Sequence, residues 1–132
     1  MRKLMVAAAI AALALAGGAQ AQQQAAIGGL VCTGKAVSVR FVAIKPGQAA
    51  LYAKAVADHQ AWYATHHNKT VIASVQVASY KGGKAAFDSS SAVSIVTYDT
   101  ASQPAHDAAY DAFVKEYKDS SSITEERRGC MK

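Results

Sequence analysis

A chain of 132 residues holds one small domain at most. Fourteen Lys and Arg stand against nine Asp and Glu, a net charge of +5, and 52% of the residues are hydrophobic with only two cysteines. This composition excludes a disordered chain, a collagen-like repeat, a disulfide-dense miniprotein and a multidomain enzyme.

Residues 1–21 read as a secretory signal peptide. Arg2 and Lys3 are its basic start, and Leu4 to Ala16 form an apolar stretch too short to span a bilayer. Gly17 and Gly18 break that stretch, and Ala19-Gln20-Ala21 is a small-residue cleavage site. Loss of Arg2 and Lys3 leaves 12 basic against 9 acidic residues, a net +3 over residues 22–132. So dilute a charge favours solubility and is no footprint for nucleic acid. No later stretch approaches ~18 consecutive apolar residues, so no membrane span is expected after cleavage. The Ala-rich leader points to the periplasm, or to secretion into the medium.

Residues 22–34, polar and glycine-flavoured at first, are expected to be an N-terminal tail, and residues 35–132 the folded domain. Lys35–Ile44 alternates as a strand, with Val37, Val39, Phe41 and Ala43 on one face and Ser38 and Arg40 on the other. Lys45-Pro46-Gly47 ends it as a turn. Gln48–His67 has helical period. Leu51, Tyr52, Ala55, Val56, His59, Trp62, Tyr63 and His66 share one broad face, and Asn68 is the expected left-handed stop.

Thr70–Tyr80 is predicted as a second strand, 81–91 as a long glycine- and serine-rich loop, and Ala92–Tyr98 as a third strand. A second helix capped by Thr100 or Ser102, with Pro104 in its first turn, is predicted to run to about Asp119. It would bury His106, Tyr110, Phe113 and Tyr117. Ser121–Cys130, rich in charge, reads as an edge strand.

Strand, helix, strand, strand, helix, strand is the order of a ferredoxin-like α+β sandwich: an antiparallel sheet with two helices on one face. In that fold the fourth strand runs antiparallel beside the first. Cys32, before the first strand, and Cys130, at the end of the last, then meet at one corner of the sheet. A structural disulfide is expected there, since no Cys-x-x-Cys is present and export supplies an oxidising compartment.

The run Val39-Arg40-Phe41-Val42-Ala43-Ile44-Lys45-Pro46-Gly47, followed by a helix ending in His59-Gln60-Ala61-Trp62-Tyr63, resembles the dimeric α+β barrel superfamily. In particular it is similar to antibiotic-biosynthesis-monooxygenase-like members. The resemblance implies a homodimer whose two sheets form a barrel, with an apolar cleft between helices and sheet in each protomer. Some relatives oxidise polycyclic aromatic substrates in that cleft without metal or flavin, while others only bind ligands. Export and a disulfide set this chain apart from the biosynthetic members, and no catalytic residue carries over.

Both helices place a histidine among aromatics on the face that should meet the sheet. Tyr52, His59, Trp62 and Tyr63 on the first, with His106 and Tyr110 on the second, are therefore the candidate ligand-binding residues. Histidine can exchange protons near neutral pH, and tyrosine hydroxyls can orient a planar ligand. The same spacing also suits plain core packing. No metal site is expected: His59 and His66 lie roughly 10 Å apart along a helix, and no His-x-x-x-His pattern occurs. No cofactor motif is present, and Ser89-Ser90-Ser91 lacks a nucleophile elbow. Three readings stay open: an exported binder of a small apolar or aromatic ligand, a cofactor-independent monooxygenase-like enzyme, and a pocketless interaction module.

Overall fold

A computed structural model describes residues 25–27 and 30–132 of the chain. The expected signal peptide, residues 1–21, lies outside the described residues. The elements in order are β1 (Ala25–Ile27), β2 (Leu30–Cys32), β3 (Ala36–Ile44), α1 (Ala49–Thr65), β4 (Val71–Lys81), β5 (Lys84–Thr97), α2 (Ala108–Ser120) and β6 (Ser121–Cys130). The class is α+β. Strands β4, β5, β3 and β6 lie side by side in that order, every neighbouring pair antiparallel, and the sheet does not close on itself. Among the described residues, no helix is long and apolar enough to cross a membrane.

Both helices pack on the same face of this sheet. Trp62 and Tyr63 from α1 and Phe113 from α2 meet Ile72 of β4 and Val96 of β5 in the main cluster. Val42, Tyr52 and Ala92 form a second cluster beside it, with Val56 and Tyr117 against them. Phe113 meets α1 through Trp62 edge-on and His59 stacked, and touches Tyr110 and Tyr117 of its own helix edge-on.

Four expectations are corrected. The segment 22–34 is not simply a tail, because Ala25–Ile27 pairs with Leu30–Cys32 in a small hairpin. Cys32 anchors that hairpin: it is buried with Ala36 and bonded to Cys130, with S–S 2.04 Å and Cα atoms 5.4 Å apart. The disulfide sits at the sheet corner where Ala36 pairs with Cys130, as expected.

Residues 81–91 are not a long loop. Gly82 and Gly83 both take positive φ, 56° and 75°, and so close a two-residue hairpin between the paired Lys81 and Lys84. The glycines that suggested a loop are the turn itself, and β5 begins directly after them. Between the Gln76/Ala92 and Val77/Asp88 pairs the register jumps, leaving Ser89, Ser90 and Ser91 without partners on β4. The Asp88 carboxylate gathers this bulge, accepting from the Ser90 amide at 2.8 Å, the Ser90 hydroxyl at 2.6 Å and the Ser91 hydroxyl at 2.8 Å.

The second helix starts later than expected, and neither Thr100 nor Ser102 caps it. Asp107 does, accepting from the Tyr110 amide at 2.9 Å. Its carboxylate has two further partners that Ser102 could not satisfy, the Trp62 indole at 2.9 Å and His66 Nε2 at 3.1 Å, which tie the start of α2 to the end of α1. Finally, it is His67 and not Asn68 that turns left-handed after α1, with φ 53°. Asn68 is instead buried, its side chain bridging the carbonyl oxygens of Asp99 and Ser102.

Candidate functional site

Alternation along β3 puts Ala36, Ser38, Arg40 and Val42 beneath the helices and turns Val37, Val39 and Phe41 to the uncovered face. The covered face is therefore polar in its middle. Register aligns Ser74, Ser94, Arg40 and Glu126 in one row across all four strands. Ser38 stands next to that row, wholly buried, and donates to Glu126 Oε1 at 2.8 Å.

Above the row the helices leave a cavity of about 300 Å³. Arg40, Val42 and Ser94 line its floor, Tyr52 and His59 its α1 wall, and Val114 and Tyr117 its α2 wall, with Lys118 and residues 121–123 of β6 at the mouth. The volume falls at the lower end of small-molecule sites, enough for a one- or two-ring ligand.

Arg40 cannot swing freely. Its Nε donates to Glu126 Oε1 at 3.1 Å and its Nη2 to the Tyr98 hydroxyl at 3.2 Å. Partial burial alone would raise the Glu126 pKa, but hydrogen bonds from Ser38, Arg128 and Arg40 hold it down at about 2. The carboxylate is ionised at every physiological pH and pairs with both the Arg40 and the Arg128 guanidinium, so Arg40 meets the cavity as one half of an ion pair.

His59 is the chemically distinctive wall residue. Its ring stacks on Phe113 at 4.3 Å and lies against Tyr63 and Tyr117. Burial, with the Arg40 charge as a lesser cause, lowers its pKa to about 4, so it is a neutral imidazole at pH 7. Its Nδ1 is 3.3 Å from the Tyr117 hydroxyl, whose own pKa is raised by burial. Either atom can donate in that bond. When Tyr117 donates, Nε2 carries the proton and is a donor; when Nδ1 donates, Nε2 is an acceptor. Among the described residues Nε2 has no protein partner, and neither does the Ser94 hydroxyl on the floor. Two unclaimed hydrogen-bonding groups thus border the same apolar space.

The candidates read from sequence divide three ways. Tyr52 and His59 line the cavity. Trp62 and Tyr63 are buried in the core beside it, and burial raises the Tyr63 pKa to about 12. Tyr110 packs against that core, while His106 is exposed and precedes α2, its ring stacked on Tyr110 at 3.5 Å. The expected burial of His106 fails because the helix starts after it. Tyr117, placed by helical period on the buried face of the second helix, lines the cavity too. Arg40 and Ser94 are not among the candidates; for Arg40 the signal is the Ser38/Arg40 alternation, which reads equally as a polar floor.

Compared with known proteins, the chain matches no family model, no curated protein and no solved structure.

Proposed function

We propose that this is an exported binding protein whose cavity holds a small, uncharged, planar aromatic ligand bearing a hydroxyl or carbonyl group. One observation carries the reading: Ser94 and Arg40, the middle of a polar row that runs Ser74–Ser94–Arg40–Glu126 across the sheet, floor a cavity beneath aromatic helices, where a self-sufficient core would place aliphatic residues. The apolar walls supply affinity, and the unclaimed groups of His59 and Ser94 supply orientation. On the floor the Arg40 guanidinium is already paired with Glu126, and the other cation of the lining, Lys118, is exposed at the rim, so the interior itself favours a neutral ligand. The leader read in residues 1–21 and the Cys32–Cys130 disulfide support export.

The same proposal includes the finer architecture. The spatial strand order agrees with a ferredoxin-like sandwich. The uncovered sheet face presents Phe41, Val71 and Val75, which are 40%, 56% and 49% exposed, beside Val37, Val39, Val93 and Ile95. A second copy packed face to face would cover this apolar surface and complete an α+β barrel.

Isothermal titration with 1-naphthol tests the ligand reading. Saturable binding to one site per chain is expected, abolished in Val114→Trp, whose indole fills the cavity while the fold is retained. Absence of binding, or binding indifferent to Val114→Trp, overturns it. The enzyme reading draws on one specific feature, the neutral His59 held against Tyr117. A base with a pKa of about 4 abstracts protons poorly from phenols, which favours the binder. Oxygen uptake with a hydroxynaphthalene that disappears in His59→Gln would reverse that preference.

A further inference from the structure

We infer a second groove, for neutral oligosaccharides, which shares only the Tyr52 wall with the first cavity and runs from beneath the first turns of α1 out along the projecting β4–β5 ribbon. It does not rest on the ligand reading of the first cavity. A second cavity of about 320 Å³ lies where Ala49, Tyr52 and Ala53 of α1 overhang the Asp88–Ser91 bulge. Its polar lining is the Tyr52 and Ser74 hydroxyls, 3.4 Å apart, together with Gln76, Asp88, Ser89 and Ser91.

The groove continues because the hairpin outruns the sheet. β3 pairs with β5 only as far as the Ala43/Ser91 pair, so residues 77–88 pair only with each other. Alternation along β4 sets Ser74, Gln76, Ala78 and Tyr80 on one face. Phe87 opposes Ala78 and Ala85 opposes Tyr80, so their side chains point the same way. Tyr80 and Phe87 are 76% and 70% exposed. A hydrogen-bonding pocket therefore leads onto two neighbouring aromatic side chains, and the whole run from Gln76 to Tyr80 is roughly 13 Å long.

The chemistry of this surface selects its ligand. Among the described residues, the Gln76 amide has no side-chain partner, leaving donors and acceptors on one group. The Ser91 hydroxyl donates to Asp88 and keeps its acceptor sites. The Asp88 carboxylate is already held by Ser90 and Ser91, which leaves little of it for a cation. No cation lines the cavity, and Lys81 and Lys84 sit on the opposite face of the ribbon. An anion or an acidic lipid surface thus finds no positive charge on the face that carries the aromatics. Sugar rings have the matching pattern, with hydroxyl edges for Gln76 and the serines and apolar C–H faces for Tyr80 and Phe87.

Titration of the full exported chain with maltohexaose, cellohexaose and chitohexaose, followed by NMR amide shifts, tests the inference. Saturable shifts of residues 74–91 with at least one of the three are expected at concentrations up to about 10 mM. Phe87→Ala and Gln76→Ala should each weaken that binding by about fivefold or more, and Val114→Trp in the other cavity should leave it unchanged. Four results overturn the inference: no shifts with any of the three, binding unaffected by both substitutions, sedimentation with phosphatidylglycerol vesicles that is lost in Phe87→Ala, or self-association lost in Phe87→Ala.

Discussion

The buried His59 makes the stability of the protein depend on pH in a defined window. Its ordinary pKa of 6.5 falls to about 4 in the folded chain. Between those values the unfolded chain binds a proton that the folded chain refuses. The stabilisation is therefore complete above pH 6.5 and is lost as pH falls towards 4. The two values give a loss of about 2 kcal/mol between pH 7 and pH 5, rising to about 3 kcal/mol at pH 4, with the partial exposure of the ring making these upper figures. The carboxylates whose pKa values are lowered, Glu126 among them, have ordinary values of 3.8 to 4.5 and lose their stabilisation mainly below pH 5, so the comparison is made between pH 7 and pH 5. Urea unfolding at pH 7, 6 and 5, compared between the native chain and His59→Gln, isolates the effect. Glutamine does not titrate, so the gap between the two chains should narrow as pH falls. Two stability curves that stay parallel from pH 7 to pH 5 would refute a buried, neutral His59.

Three other perturbations probe separate parts of the structure. The Cys32–Cys130 disulfide spans 98 residues, so replacing both cysteines by alanine should cost about 4 kcal/mol in urea unfolding; an unchanged midpoint would mean the bond does not form in the purified protein. Phe113, buried between both helices and the sheet, should cost about 3–5 kcal/mol when cut to alanine, read by thermal melting, and a loss below that range would mean the helices can collapse onto the gap. Val75→Lys on the uncovered sheet face should convert a dimer into a monomer by light scattering with the circular dichroism spectrum unchanged; a native chain already monomeric at high concentration removes the barrel.

Much of the fold was legible because its signals are local. The period-2 run of β3, the helical period of Gln48–His67 and the turn at Lys45-Pro46-Gly47 each depend on residues close in sequence. The cysteine pairing followed from placing the first and last strands side by side. What escaped depends on distant partners. Gly82-Gly83 reads equally as a loop or as a two-residue hairpin turn, and pairing of Lys81 with Lys84 decides between them. Asp107 became a cap because Trp62 and His66 reach it from the other helix, a contact with no trace in residues 100–110. His59 was picked out by its aromatic neighbours, but Arg40 and Ser94 were not, since a polar residue on a strand ordinarily faces water.

The orientation of β3 links the two halves of the functional proposal. Its apolar residues, Val37, Val39 and Phe41, face away from the helices, and Ser38 and Arg40 face beneath them. A lone two-layer sandwich with a dry core gains stability from the reverse arrangement, because each buried aliphatic side chain contributes about 1.5–3 kcal/mol and each buried polar group costs free energy unless it is bonded. The register is held by partners on both sides. Thr124 is passed over where β3 meets β6 and donates to the Phe41 carbonyl at 3.1 Å, while the β5 pairing runs unbroken from Val37 to Ala43. A strand held this way makes physical sense when the outward apolar face is covered by a second copy and the inward polar face meets a ligand. The two conditions can be separated by experiment. Val75→Lys removes only the first and Val114→Trp only the second, so a dimer that persists in Val114→Trp, together with naphthol binding that persists in Val75→Lys, would show that each face of the sheet serves its own partner.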